Sequence, residues 1–258
     1  MNTVLEVHIE WKYTPNNYIE EEINITDTGF ELSMLNGIAL AKIEPSFYEN
    51  NPDIETHIES LINNRLQAIQ LISHSDFETS KPERKDLRKD GKFNIFMRLE
   101  PAVLTCTMHP VDFTHKDKYG HVISDTKQER LDKQNWLYET ITKYRCSDRT
   151  LDHILSSQKD AAKDSENELV HLYEIRDAFV TRFGGKKNAI NQLKITGKEW
   201  DELGDLANNQ PLKEGRHRGK SAGLTRPATK NELERARNSA SNLIEKYLIY
   251  LETQKIIT

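Results

Sequence analysis

Cysteine is scarce in this chain: among 258 residues there are only Cys106 and Cys146. Two thiols are too few for a disulfide framework, and neither has a second cysteine at metal-ligand spacing, so both read as small apolar side chains. Long apolar runs are missing as well. No stretch approaches the ~20 residues that a bilayer-spanning helix needs, and the start Met1-Asn2-Thr3-Val4-Leu5-Glu6 lacks the basic opening and apolar run of a secretory leader. The expectation is a cytoplasmic protein with no membrane partner. Excess positive charge is also lacking: 36 Lys and Arg against 41 Asp and Glu leave a net charge of -5. That excludes a polycation coating nucleic acid indiscriminately and leaves room for a local basic site. The P-loop pattern, the Rossmann fingerprint, the nucleophile elbow and HExxH are absent, and no carboxylate pair is singled out by spacing.

What is present divides by periodicity. Val4, Val7, Ile9 and Trp11 nearly alternate with polar residues, and residues 18–25 repeat the habit with Ile19, Ile23 and Ile25, so both read as strands. Thr26-Asp27-Thr28-Gly29 and Asn36-Gly37 supply turn chemistry around residues 30–35 and 38–43, which predicts an antiparallel meander. Asn50-Asn51-Pro52-Asp53 breaks the pattern before a helix carrying Ile54, Ile58, Leu61, Ile62, Leu66, Ile69 and Ile72, able to cover one sheet face. Residues 81–92, dense in charge, read as an exposed loop. Residues 93–99 and 102–108 return to strand character, and Lys116-Asp117-Lys118-Tyr119-Gly120 joins two arms of a further hairpin. From Thr126 onward the period becomes about 3.6. Ser165-Glu166-Asn167-Glu168 has capping-box spacing, Gly184-Gly185 terminates the helix it opens, and residues 230–253 form a long amphipathic helix. The predicted fold is α+β: residues 1–125 an N-terminal antiparallel β-sheet with a covering helix, residues 126–258 a C-terminal helical bundle.

One segment concentrates chemistry. Within residues 213–230 the cations are Lys213, Arg216, Arg218, Lys220, Arg226 and Lys230, with His217 between two arginines and only Glu214 opposing. Gly215, Gly219 and Gly223 let backbone approach a ligand, and guanidinium forks match phosphate oxygens. Arg216, His217, Arg218 and Lys220 are therefore the candidate ligand-binding residues. The alternative is a structural clip, with the arginines paired to Glu199, Asp201, Glu202 or Asp205. The short helices on either side of Ile195-Thr196-Gly197 have helix-turn-helix spacing. The second is acidic, however, which argues against sequence-specific DNA as a partner.

The run Tyr173-Glu174-Ile175-Arg176-Asp177-Ala178-Phe179-Val180-Thr181-Arg182 resembles the helical HEPN domains of bacterial defence and toxin systems, over residues 164–253 at most. In that family an Arg followed four to six residues later by a His forms a metal-independent RNase site at a dimer interface. The resemblance places the arginine at Arg176, while Thr181 and Arg182 stand where the histidine would fall. Arg176 and His217 are thus the candidates for a divergent RNase, with His217 as the substitute imidazole if its loop folds back onto this helix. The overall pattern is also similar to a group of uncharacterised bacterial proteins that combine the same two halves. His109, His115 and His121 are spaced by six, about 20 Å apart on a strand, so no metal and no cofactor is expected. The reading is recognition of RNA or a nucleotide by the basic loop in a HEPN-like domain, in the bacterial defence setting that the resemblance implies. The rival is a non-catalytic assembly protein, with a protein partner or a homo-oligomer, whose basic loop is a clip.

Overall fold

The computed structural model describes residues 4–96, 111–216 and 225–254. The chain forms two compact units, one of Met1–Leu66 with Phe77–Lys127, the other of Gln67–Asp76 with Gln128–Thr258.

In the first unit, β1 (Val4–Thr14), β2 (Ile23–Asp27), β3 (Phe30–Leu35), β4 (Ile38–Ile43), β5 (Glu78–Thr79), β6 (Glu83–Arg88) and β7 (Phe93–Phe96) build one antiparallel sheet. Its order is β2-β3-β4-β1-β6-β7, with β5 also paired to β1. Alternation along β1 puts Val7, Ile9, Trp11 and Tyr13 on the buried face. The register sets Val7 against Ile43, Ile9 against Ala41 and Trp11 against Ala39, so the same face continues through β4. Leu35 faces Ile38 across a two-residue turn in which Asn36 and Gly37 have φ 51° and 81°, the twist-compatible hairpin their sequence calls for. After the short α1 (Pro45–Asn50), α2 (Ile54–Ser73) buries Ile54, Ile58, Leu61, Ile62 and Leu66, and its His57 stands edge-on to Phe30 of β3. A two-stranded hairpin, β8 (Thr114–Lys116) with β9 (Val122–Asp125), follows.

In this unit two expectations are corrected. The strand read over 18–25 begins only at Ile23; Tyr18 instead closes a turn on the Pro15 carbonyl and rests its ring on Phe77. The charged segment 81–92 is not a loop but contains β6, paired to β1. Its charges are neutralised within the sheet, Lys85 by Glu10 at 2.7 Å and Arg84 by Asp86 at 2.7 and 3.0 Å, so a polar run is tolerated in a strand. The strand read over 102–108 lies outside the described residues.

The second unit is helical: α3 (Thr126–Tyr144, most of which belongs here), α4 (Arg149–Lys163), α5 (Glu168–Phe183), α6 (Lys186–Leu193), α7 (Gly197–Gly204), a π-helical turn (Asp205–Asn209) and α8 (Lys230–Gln254). The stripe Ala236, Ala240, Leu243, Ile244, Tyr247, Leu248 and Leu251 of α8 meets Leu169, Leu172, Ile175 and Phe179 of α5 in one core. The capping box placed at Ser165 is absent. Asn167 precedes α5 without a side-chain cap, and the Glu168 carboxylate turns to Arg237 instead. The real capping box is Thr196 with Glu199 at α7. Gly184, at φ 70°, ends α5 as expected. The fold is α+β, and no helix among the described residues is long and apolar enough to cross a membrane.

Candidate functional site

The basic loop leaves the π-helical turn and returns to α8 through a tied stem. Leu212 and Arg226 form a parallel bridge; Lys213 N–H donates to the Arg226 carbonyl and Arg226 N–H to the Pro211 carbonyl, each at 3.0 Å. Arg226 forks onto Glu232 at 2.6 and 2.8 Å, and Glu232 also accepts from the Thr229 backbone N–H at 2.9 Å. The Arg226 hydrogen bond, and then the Thr229 N–H, push the Glu232 carboxyl down to about 2. Glu214, the one acid of the loop, accepts the Ala228 N–H at 3.0 Å. Arg216 N–H donates to the Ala207 carbonyl at 2.9 Å. Gly215 lies so close to Ala207 that a Cβ there would sit 2.9 Å from the same oxygen. His217, Arg218 and Lys220 lie outside the described residues.

Arg216 reaches α5. Its guanidinium carbon is 4.2 Å from the Tyr173 ring centre, and Nη1 donates to Asp177 Oδ2 at 3.0 Å. Tyr173, Arg176 and Asp177 share one face of α5 because residues three and four apart are neighbours on a helix. Arg176 therefore meets the same aromatic platform, 5.2 Å from the Tyr173 ring centre and 5.1 Å from that of Trp200 on α7. The two arginines singled out by separate lines of reasoning thus converge on one tyrosine. Four acids were offered as clip partners, and none is the one that Arg216 uses. Glu199 caps α7, Glu202 binds Arg235, Asp205 accepts from Asn209, and Asp201 accepts two hydrogen bonds from Lys186 at 2.7 and 2.9 Å.

That last commitment leaves Arg176 in an unusual position. Its side chain is only 15% exposed and its nearest carboxylate, Asp201, stands 3.8 Å away. It makes no hydrogen bond among the described residues, and Nε is fully buried. Trp200 beside it is wholly buried with an indole N–H that also lacks an acceptor. Space for Arg176 is provided by Gly204, where a Cβ would lie 1.7 Å from Nη1. The chain leaves α7 through the π-helical turn immediately beyond, an irregularity that often accompanies functional sites.

Tyr173, Trp200 and Gly204 were missed as members of this cluster. The i, i+3 spacing of Tyr173 and Arg176 was the available signal; the approach of α7 had none. The histidines of the β8–β9 hairpin belong to the first unit. His121 contacts Asp117 at 3.1 Å in the β8–β9 hairpin, His115 is on β8, and His109 lies outside the described residues. Among the described residues no three His, Cys, Asp or Glu side chains are placed to share a metal ion. The apolar residues of the helix-turn-helix-like pair, Leu193, Ile195, Trp200 and Leu203, are packed into the helical core. Comparison with protein-family models, with curated proteins and with solved structures found no match.

Proposed function

We propose that the helical unit recognises a phosphate-bearing ligand, RNA or a nucleotide, through Arg176 and Arg216, the second of which opens directly into the cationic sequence His217-Arg218-Gly219-Lys220. The observation that carries this reading is the Arg176 guanidinium, largely withdrawn from water, with Asp201 at 3.8 Å and no hydrogen-bond acceptor among the described residues. A buried charge left in that condition is costly. A phosphate supplies the paired oxygens that a guanidinium fork fits. Arg216 supports the same reading: stacking on Tyr173 restricts its side chain in advance, which lowers the entropy lost on binding.

The opposing reading is the clip, favoured by the Arg216–Asp177 and Arg226–Glu232 ion pairs. Fluorescence anisotropy with a labelled single-stranded RNA and with a labelled adenine nucleotide, at two salt concentrations, separates the two. Phosphate recognition predicts binding that weakens with salt and falls about tenfold or more in Arg216→Ala, the loss of one charge-assisted hydrogen bond. A clip predicts no salt-sensitive binding to either probe and a lowered unfolding midpoint in that variant.

A further inference from the structure

We infer that this site takes a terminal phosphate monoester, on a nucleotide or at an RNA end, in preference to an internal phosphodiester; the inference rests on the phosphate reading above. Depth is the first reason. Arg176 is recessed, 15% exposed against 35% for Arg216, and it lies between the Tyr173 and Trp200 rings. A monoester is tethered at one oxygen and can advance its other three into a recess. A phosphodiester is tethered at two, so both flanking nucleosides must splay aside before a free oxygen reaches the inner guanidinium.

Charge is the second reason. Both guanidinium groups take the Tyr173 ring as a platform, so a phosphate there meets two cations, each with one aspartate beside it, Asp177 at 3.0 Å from Arg216 and Asp201 at 3.8 Å from Arg176. A monoester brings about -1.5 to -2 charge to that place at neutral pH, whereas a diester brings a single charge.

The test compares two 3′-labelled RNA oligonucleotides of one sequence, one with a 5′-phosphate and one with a 5′-hydroxyl, with AMP and adenosine as competitors. Preference for the phosphorylated RNA by about tenfold or more is expected, growing as pH rises through about 6, where the monoester takes its second charge. Arg176→Met removes the preference, and Arg176→Lys, which keeps the charge without the fork, reduces it. Competition by AMP but not adenosine shows that the group suffices without a chain. Preference for the phosphorylated RNA without AMP competition assigns the site to RNA ends. Equal binding of the two oligonucleotides overturns this inference and leaves phosphate recognition standing; absence of binding by both RNAs and by AMP overturns both.

Discussion

Two arginines of the helical unit are partly or largely buried, and they are treated in opposite ways. Arg237 on α8 forks onto Glu168 at 2.6 and 2.8 Å. Glu168 is 1% exposed and also meets His74 Nε2 at 3.3 Å, while His74 Nδ1 stands 3.1 Å from Gln158 Nε2. Burial alone drives the Glu168 carboxyl upward, but hydrogen bonds from Arg237 and then His74 outweigh it and hold the group below its ordinary value. Arg176 has aromatic walls and no such fork: its carboxylate, Asp201, stands 3.8 Å away, and it makes no hydrogen bond among the described residues. Free energy separates the two cases. Removing one member of a satisfied buried pair strands the other, whereas replacing an unsatisfied charge by an apolar group of like size strands nothing.

The largest effect is therefore expected at Arg237. Arg237→Ala leaves the Glu168 carboxylate buried with His74 alone. A loss of about 2–3 kcal/mol in denaturant unfolding is expected, less than the ~3–5 kcal/mol of a wholly buried pair because 37% of the Arg237 side chain is exposed and water can enter. Acid sensitivity moves with it. In the native chain the depressed Glu168 group contributes stability that is fully present above the unfolded carboxyl value and is lost as pH falls through its lower folded value. Without Arg237, burial raises the group, so acid unfolding should begin at a higher pH. A variant as stable as the native chain at neutral pH, with an unchanged acid limb, would remove Arg237 from the scaffold and erase the contrast.

Neither member of this contrast could be found by reading along the chain. Glu168 sits three residues after Ser165 and looks like part of a helix cap. Its partner is 69 residues away, and sequence spacing carries no information about which distant helix will supply a counter-charge. Asp177 and Arg216 are separated by 39 residues, so the acids nearer the loop seemed better partners. They were already engaged in capping α7, in binding Lys186 and Arg235, or in accepting from Asn209. Local periodicity was far more legible. The alternation in β1 and the apolar stripe of α8 each report on one face of one element, and the structure places those residues as that pattern requires. β6 escaped because alternation is invisible when both faces carry charge; only the cross-strand lysine and glutamate explain it. At Gly215 the close approach is to the Ala207 carbonyl of the same chain, a contact the loop sequence did not specify, and Gly204, at the end of a helix, signalled nothing until Arg176 was seen lying against it.

Gly204 provides the intermediate test. Gly204→Ala places a methyl group where Arg176 Nη1 now lies, so the guanidinium must move. Overpacking of this kind costs about 1–3 kcal/mol, offset in part by the ~1 kcal/mol by which alanine favours a helix over glycine. A net loss of up to about 2 kcal/mol is expected, and that loss should vanish when Arg176 is shortened to Ala in the same chain. Calorimetric or denaturant unfolding of the two single variants and the double variant measures the coupling directly. Equal losses from Gly204→Ala with and without Arg176 would mean that the glycine serves the π-helical turn and not the arginine.

The smallest effect on stability, and the most informative for function, is expected from Arg176→Met. Methionine keeps the volume between Tyr173 and Trp200 and removes a charge that has no hydrogen bond to lose. Unfolding should change by less than about 1 kcal/mol, in either direction, because an apolar replacement for a poorly paired buried charge is often neutral or stabilising. Salt-sensitive binding of phosphate-bearing probes should nevertheless fall about tenfold or more, the loss of a charge-assisted fork. The two readouts move together if Arg176 is a scaffold residue like Arg237, and they separate if it is held in reserve for a ligand. A drop in stability comparable to that of Arg237→Ala would place both arginines in the scaffold and leave the phosphate reading to Arg216 alone.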